Sequence, residues 1–207
     1  MVSFVENILV FFTYIFRAEP TPRILLNLRV QSINAMSTIR TIFDIIFFKA
    51  KPSDTPFNIN ATTLAFASAW FTSLLSASLQ PNHPNPIIFT LIQIGSYGAM
   101  LAFFLSINKK QNRIHQTLLA SYGTLAIINT IIFMFLLIGM PILVLPIAIW
   151  SFIIQMYILK HSLDTGFGQA FFMVITIQLT ILILISFVFP EHFKEHLEAM
   201  QKLQSQS

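Results

Sequence analysis

The chain contains no cysteine and very little charge, and each shortage narrows what it can be. Without thiols there is no disulfide, no thiolate metal site and no cysteine nucleophile. Charged residues make up 10% of the 207 and hydrophobic residues 55%, whereas a soluble domain carries about 25% charged residues. The composition suits a bilayer rather than water. Twelve Lys and Arg give a net charge of +4 and a pI near 9.6, but they are spread over short loops and form no base-reading surface, so nucleic acid is not an expected partner.

What is present is a series of long uncharged runs. The stretch from Asn108 to Gln116 (N-K-K-Q-N-R-I-H-Q) is the only strongly charged one between two long hydrophobic blocks, and Lys109, Lys110 and Arg113 make it basic. Before it, residues 61–79 and 87–107 are uncharged and separated by the turn 80–86. At 1.5 Å per residue each run is long enough to cross a hydrocarbon layer of about 30 Å. After it, residues 117–159 are uncharged for 43 residues, which as one helix would be about 65 Å long and must therefore fold back. Gly139-Met140-Pro141 supplies the hinge, because glycine tolerates turn dihedrals and proline is welcome only in a helix's first turn. Spans are thus expected at 117–138 and 142–159, with Pro146 loosening the start of the latter. Residues 170–189, closed by Pro190, form a fifth.

The expected fold is an all-α integral membrane bundle of five transmembrane helices over residues 61–189. An N-terminal region, 1–60, precedes it and a short tail, 190–207, comes after it. Ala61, Ala65, Ala69, Ser73 and Ala77 recur every fourth residue, a small-residue stripe that lets a neighbouring helix approach closely. Gly95 and Ala99 offer a second such pair. In the N-terminal region, Ile39, Ile42, Phe43 and Ile46 fall on one helical face with Ser37, Arg40, Thr41 and Asp44 opposite. This predicts an amphipathic helix lying on the membrane or packed on a partner protein. Arg23, Arg29, Arg40, Lys49 and Lys51 would attract anionic headgroups at about 1 kcal/mol each. The apolar core of 8–16 is too short to cross comfortably and reads as an interfacial segment, with a cleaved signal peptide as the alternative.

Five spans place ten basic residues (Arg17, Arg23, Arg29, Arg40, Lys49, Lys51, Lys109, Lys110, Arg113, Lys160) on one side and two, Lys194 and Lys202, on the other. The excess predicts a cytoplasmic N-terminus and basic loop with the tail outside. A four-span arrangement, with one apolar segment lying flat, is the rival.

Motifs that suggest chemistry have plainer explanations. His192-Phe193-Lys194-Glu195-His196 has the H-x-x-E-H spacing of inverted zinc peptidases, but only Glu198 follows as a third ligand, and an exposed charged helix accounts for it. Gly166-Phe167-Gly168 has neither the preceding strand nor the lysine of a phosphate loop. Asn60-Ala61-Thr62 is a glycosylation sequon placed at the cytoplasmic boundary. No Asp, Glu, Lys, Arg or His falls within the predicted spans, which argues against proton-coupled transport and against a catalytic, metal or cofactor site. Asn129, Gln155 and Gln178 remain, as interhelical hydrogen bonds or as the lining of a path for a neutral solute.

The stretch I-W-S-F-I-I-Q-M-Y-I-L-K-H-S-L from Ile149 to Leu163, followed by Gly168-Gln169-Ala170, resembles the region between the last two spans of the Yip family of Ypt/Rab-interacting membrane proteins, in its bacterial members. The likeness covers the layout from about Met36 to Phe189, which leaves residues 1–35 as a native segment or an upstream extension. The D-L-Y-G-P signature of the eukaryotic trafficking members is absent. The resemblance implies a non-enzymatic scaffold or membrane-organising protein of a bacterial inner membrane, acting with a protein partner or as a homo-oligomer. The alternative is a small transporter or channel subunit for an uncharged solute.

Overall fold

The computed structural model describes residues 36–79 and 85–190. The predicted interfacial segment at 8–16, the turn with His83, the H-x-x-E-H tail, and Arg17, Arg23, Arg29, Lys194 and Lys202 lie outside the described residues. Two compact units divide the chain, Met1–Ser37 and Thr38–Ser207, and the helical bundle belongs to the second. Its described residues are helices and turns without a strand. They comprise α1 (residues 38–46), α2 (Ile59–Ser78), α3 (Pro86–Ile107), α4 (Ile114–Leu137), α5 (Val144–Leu163) and α6 (Phe167–Val188).

Each helix end has a local cause. Asn58 caps α2 by accepting hydrogen bonds from the amides of Asn60 (3.0 Å) and Ala61 (3.2 Å), and Asn85 does the same for α3 from Ile87 and Ile88, with Pro86 in the first turn. Gly139 turns the α4–α5 hairpin at φ +74°, where a side chain would be strained, and a 3-10 turn, Pro141–Leu143, leads into α5. Pro146 falls in the first turn of α5, where its missing N–H costs no helical bond.

Four stretches are long and apolar enough to cross a membrane: Pro86–Ile107, Gln111–Leu137, Pro141–Leu163 and Phe167–Val188. The chain is therefore a multi-pass membrane protein. Helix α2, the first of the five expected spans, has the length but is less apolar, because seven of its twenty residues are Ser or Thr. Several of those hydroxyls bond back to the preceding turn, as Thr63 does to the Ile59 carbonyl (3.0 Å) and Ser78 to Leu74 (2.8 Å), which lowers their cost away from water.

Helices α3, α4, α5 and α6 pack around a shared interior, and α2 lies along α4. Thr62 donates to the His115 carbonyl and Ser76 to that of Asn129, both 53 residues ahead, so α2 and α4 run parallel in one register. Ala65, Ala69, Ser73 and Ala77 are buried along α2, which gives the backbone-close contact that packing in lipid relies on. The second small-residue pair does not pack as expected. Gly95 has nothing within 4 Å of a would-be Cβ and Ala99 is exposed; Gly98 is the tight position of α3, its missing side chain making room for the end of the Tyr122 ring.

Helix α1 also departs from expectation. Ile42, Ile45 and Ile46 are buried among Ala120 and Ile128 of α4 and Ile154 and Ile158 of α5, and Ile42 Cδ1 lies where a Cβ on Gly123 would be 2.5 Å away. The helix is docked on its own bundle rather than only lying on a surface, and the predicted apolar face is split, since Ile39 and Phe43 remain exposed. The docked face therefore includes Ile45, which simple amphipathic spacing passes over. Beyond it, Phe48 packs edge-on against Trp150 and Tyr157, and Tyr157 Oη donates to the Ala50 carbonyl (3.2 Å).

A candidate polar cavity at mid-span

The three polar residues singled out in the spans converge. Asn129, Gln155 and Gln178 line one cavity of about 60 Å³ together with Gln93, Tyr97, Ile94, Leu125 and Ile181. Helices α3, α4, α5 and α6 each contribute at least one polar side chain. The positions share a depth because consecutive helices alternate direction: Gln93 and Asn129 lie seven and eight residues from the helix ends opposite the basic loop, and Gln155 and Gln178 eleven and ten. At 1.5 Å per residue this is about 11–17 Å, near the middle of the hydrocarbon layer.

The lining is a partly satisfied hydrogen-bond network. Gln178 Nε2 donates to Gln155 Oε1 (3.2 Å), Gln155 Nε2 reaches Ser151 Oγ at 3.5 Å, and Ser73 Oγ reaches Gln93 Oε1 at 3.5 Å. Tyr97 Oη is buried beside Ser121 Oγ, the neighbouring hydroxyl with which it can exchange a hydrogen bond. Four amides that both donate and accept, and one phenol, suit a neutral guest with both kinds of group.

Burial around this cavity is uneven. Toward the basic loop the interior is filled by Leu101, Leu105, Leu119, Leu159 and Leu163, each 4% exposed or less. Toward the other end, no residue from Asn129 through Trp150 is buried, so the α4–α5 hairpin projects without a packed core. Ala77, Thr90 and Ile181 are buried on that side, so the packing is loose only along the hairpin; of the lining, Gln155 and Tyr97 are buried, Gln93 and Asn129 half-buried and Gln178 exposed.

Basic residues gather at the opposite end. Asp164 receives Lys110 Nζ at 2.7 Å and Arg113 Nη1 at 2.9 Å, and Arg113 also donates to the carbonyls of His161 (3.3 Å) and Ser162 (3.2 Å), capping the C-terminus of α5. Thr117 Oγ1 donates to Ser162 Oγ at 2.9 Å just beneath. Gln116 Nε2 holds the carbonyls of Ser53 (3.2 Å) and Thr55 (3.1 Å), which brings the Pro52–Asp54 turn to the same level. Lys110 and Arg113, expected to mark the membrane-surface side of the basic loop, join two loops, and Lys49, Lys51 and Lys109 are exposed. Asp164 carries no mark of this role in the sequence, where its two cations stand 54 and 51 residues away.

The two cations hold the Asp164 carboxyl down at about 2, with the Lys110 hydrogen bond the larger cause and Arg113 the next. A depressed carboxylate contributes fully above its ordinary value of 3.8 and loses that contribution as pH falls through about 2. Asp164 has left-handed dihedrals (φ +56°), which asparagine also adopts, so Asp164→Asn removes charge and leaves the turn intact. We expect hydrogen-exchange protection in 109–113 and 161–166 to persist in the wild type on acidification to about pH 4 and to be reduced in the variant already at neutral pH. Equal protection in both would show that the clamp does not order these loops.

No protein-family model, no curated protein and no solved structure matches the chain.

Proposed function

We propose that the protein crosses the membrane five times, with α2 as the fifth crossing, and takes a small uncharged polar solute into the mid-span cavity. The convergence of Gln93, Tyr97, Asn129, Gln155 and Gln178 on one space carries this reading. A cavity of about 60 Å³ has room for a few waters, which suits a solute of the size of urea or glycerol. The guest is neutral because the lining holds no charge, and an unpaired ion at this depth costs at least about 2.5–3.5 kcal/mol. Loose packing beyond Asn129 and Trp150 favours access from the end opposite the basic loop, while the leucines above the cavity favour closure toward that loop.

The excess of cations at the basic end favours its placement in the cytoplasm, with the N-terminus there and the C-terminus outside, as in a bacterial inner membrane. Reporter tags after Ser207 and near Asn112 are expected in different compartments; finding them in the same one would remove α2 or another helix from the set of crossings. Stopped-flow light scattering on proteoliposomes tests the function: urea or glycerol entry faster than in empty vesicles supports it, and equal rates reject it. A second reading, the non-enzymatic scaffold implied by the Yip-like layout, is favoured by the exposed Lys49, Lys51 and Lys109 at one end, a surface suited to anionic headgroups or an acidic partner. A stable partner copurifying in mild detergent, with no solute entry, would favour that reading.

A further inference from the structure

Helix α1 has three faces where an amphipathic helix has two. Ile42, Ile45 and Ile46 are buried against α4 and α5. Ile39, Phe43 and Phe47, four residues apart, are 54%, 45% and 60% exposed along a second face. Arg40, Thr41 and Asp44 occupy a third, its centre a little more than a quarter turn from that of the second at 100° per residue, with Arg40 bordering Phe47. A helix with one side in water and one on protein needs only two such faces, so the second apolar row calls for another covering.

Depth identifies it. Ile42 meets Gly123, nine residues into α4 from its start at the basic loop, about 14 Å along the helix, and Phe48 meets Tyr157 and Trp150, six and thirteen residues from the basic end of α5, so the seat of α1 lies deep in the leaflet bordering that loop. From α1 the chain returns to the level of that loop, where Thr55 and Ser53 are held by Gln116. The exposed row is therefore level with acyl chains, while Arg40, Lys49 and Lys51 are exposed and make no ion pair among the described residues. We propose that α1 is an in-plane anchor for the leaflet bordering the basic end. One face is seated on α4 and α5, the acyl chains cover Ile39, Phe43 and Phe47, and the three cations extend on their long side chains toward the anionic headgroup phosphates.

The absence of cysteine makes single spin labels clean. Phe43→Cys and Asp44→Cys, each carrying a nitroxide, are placed in the full-length protein in vesicles of phosphatidylcholine with phosphatidylglycerol, and collisions with oxygen and with an aqueous nickel chelate are measured. Phe43 is exposed, so its label does not disturb the seat of α1. The oxygen-to-nickel ratio is expected to be at least about threefold higher at 43 than at 44, as for a helix whose apolar side lies below the headgroups. Nickel access at both positions would put α1 in water, and shielding of both from either reagent would mean protein covers the face; each result overturns the proposal. Replacing Arg40, Lys49 and Lys51 with Gln is expected to raise nickel access at 43, and an unchanged ratio would overturn the headgroup part.

Discussion

Gly98→Ala is expected to destabilise the protein by about 1–3 kcal/mol, although alanine is the better helix former by about 1 kcal/mol. A Cβ at this position would overlap Tyr122 Oη and stand 2.8 Å from Tyr122 Cζ, with Leu118 Cδ2 at 3.5 Å. The ring cannot retreat freely. It is part of the main core, packs edge-on against Phe66 on α2, and its hydroxyl donates to the Ile94 carbonyl at 3.4 Å. Moving it disturbs contacts among α2, α3 and α4 together. Tyr122→Phe in the Gly98→Ala background removes the worst overlap but leaves Cζ in place, so partial recovery is expected. Thermal unfolding of the purified protein in detergent, followed by size-exclusion chromatography, reads both effects. A Gly98→Ala protein at least as stable as wild type would mean that α3 and α4 are not this close.

The second large effect is functional. Gln155→Leu is expected to lower proteoliposome solute entry at least about tenfold, because a site that hydrogen-bonds its guest discriminates strongly once the partner is lost. Gln155 is buried and is the hub of the network, accepting from Gln178 and reaching Ser151, so leucine of similar size leaves Gln178 without its acceptor. Insertion is not at risk, since leucine at mid-span favours the membrane by about 0.3–0.6 kcal/mol. Tyr97→Phe, which keeps the ring and removes the hydroxyl from the lining, should reduce entry by a smaller factor. Undiminished entry in Gln155→Leu would reject the cavity as the route. Loss of the anchoring of α1, by contrast, would leave the cavity lining in place, so the two proposals fail separately.

Much of the bundle was legible from the residues because bilayer thickness and backbone hydrogen bonding leave few choices. Uncharged runs, Gly139 with Pro141, and the basic loop each mark a boundary, and the helices fall within a few residues of the predicted spans. The α4 and α5 helices extend at the basic end to include His115, Lys160 and His161, because hydropathy reports where apolar residues stop and helices continue past that point. Three of the five polar cavity residues were visible as polar interruptions. Gln93 and Tyr97 were available to the same reasoning, since each lies near the middle of α3 at a depth shared with Asn129, Gln155 and Gln178.

Periodicity located small residues but not their partners. Gly95 and Gly98 look alike in sequence, and only the approach of Tyr122 separates an open position from a tight one. The same limit applies to α1, where the spacing of isoleucines and phenylalanines records that apolar faces exist without recording which meets helix and which meets lipid. Asp164 reads alone as a loop acid and becomes a junction only when folding brings Lys110 and Arg113 to it from 54 and 51 residues away. Composition and hydropathy by themselves determined that this is a helical membrane protein, because transfer to hydrocarbon is additive along the chain. Which polar groups share a cavity, which glycine touches an aromatic ring and where the short helix is seated were decided by the tertiary structure alone, because those contacts join segments whose separation along the chain holds no local signal.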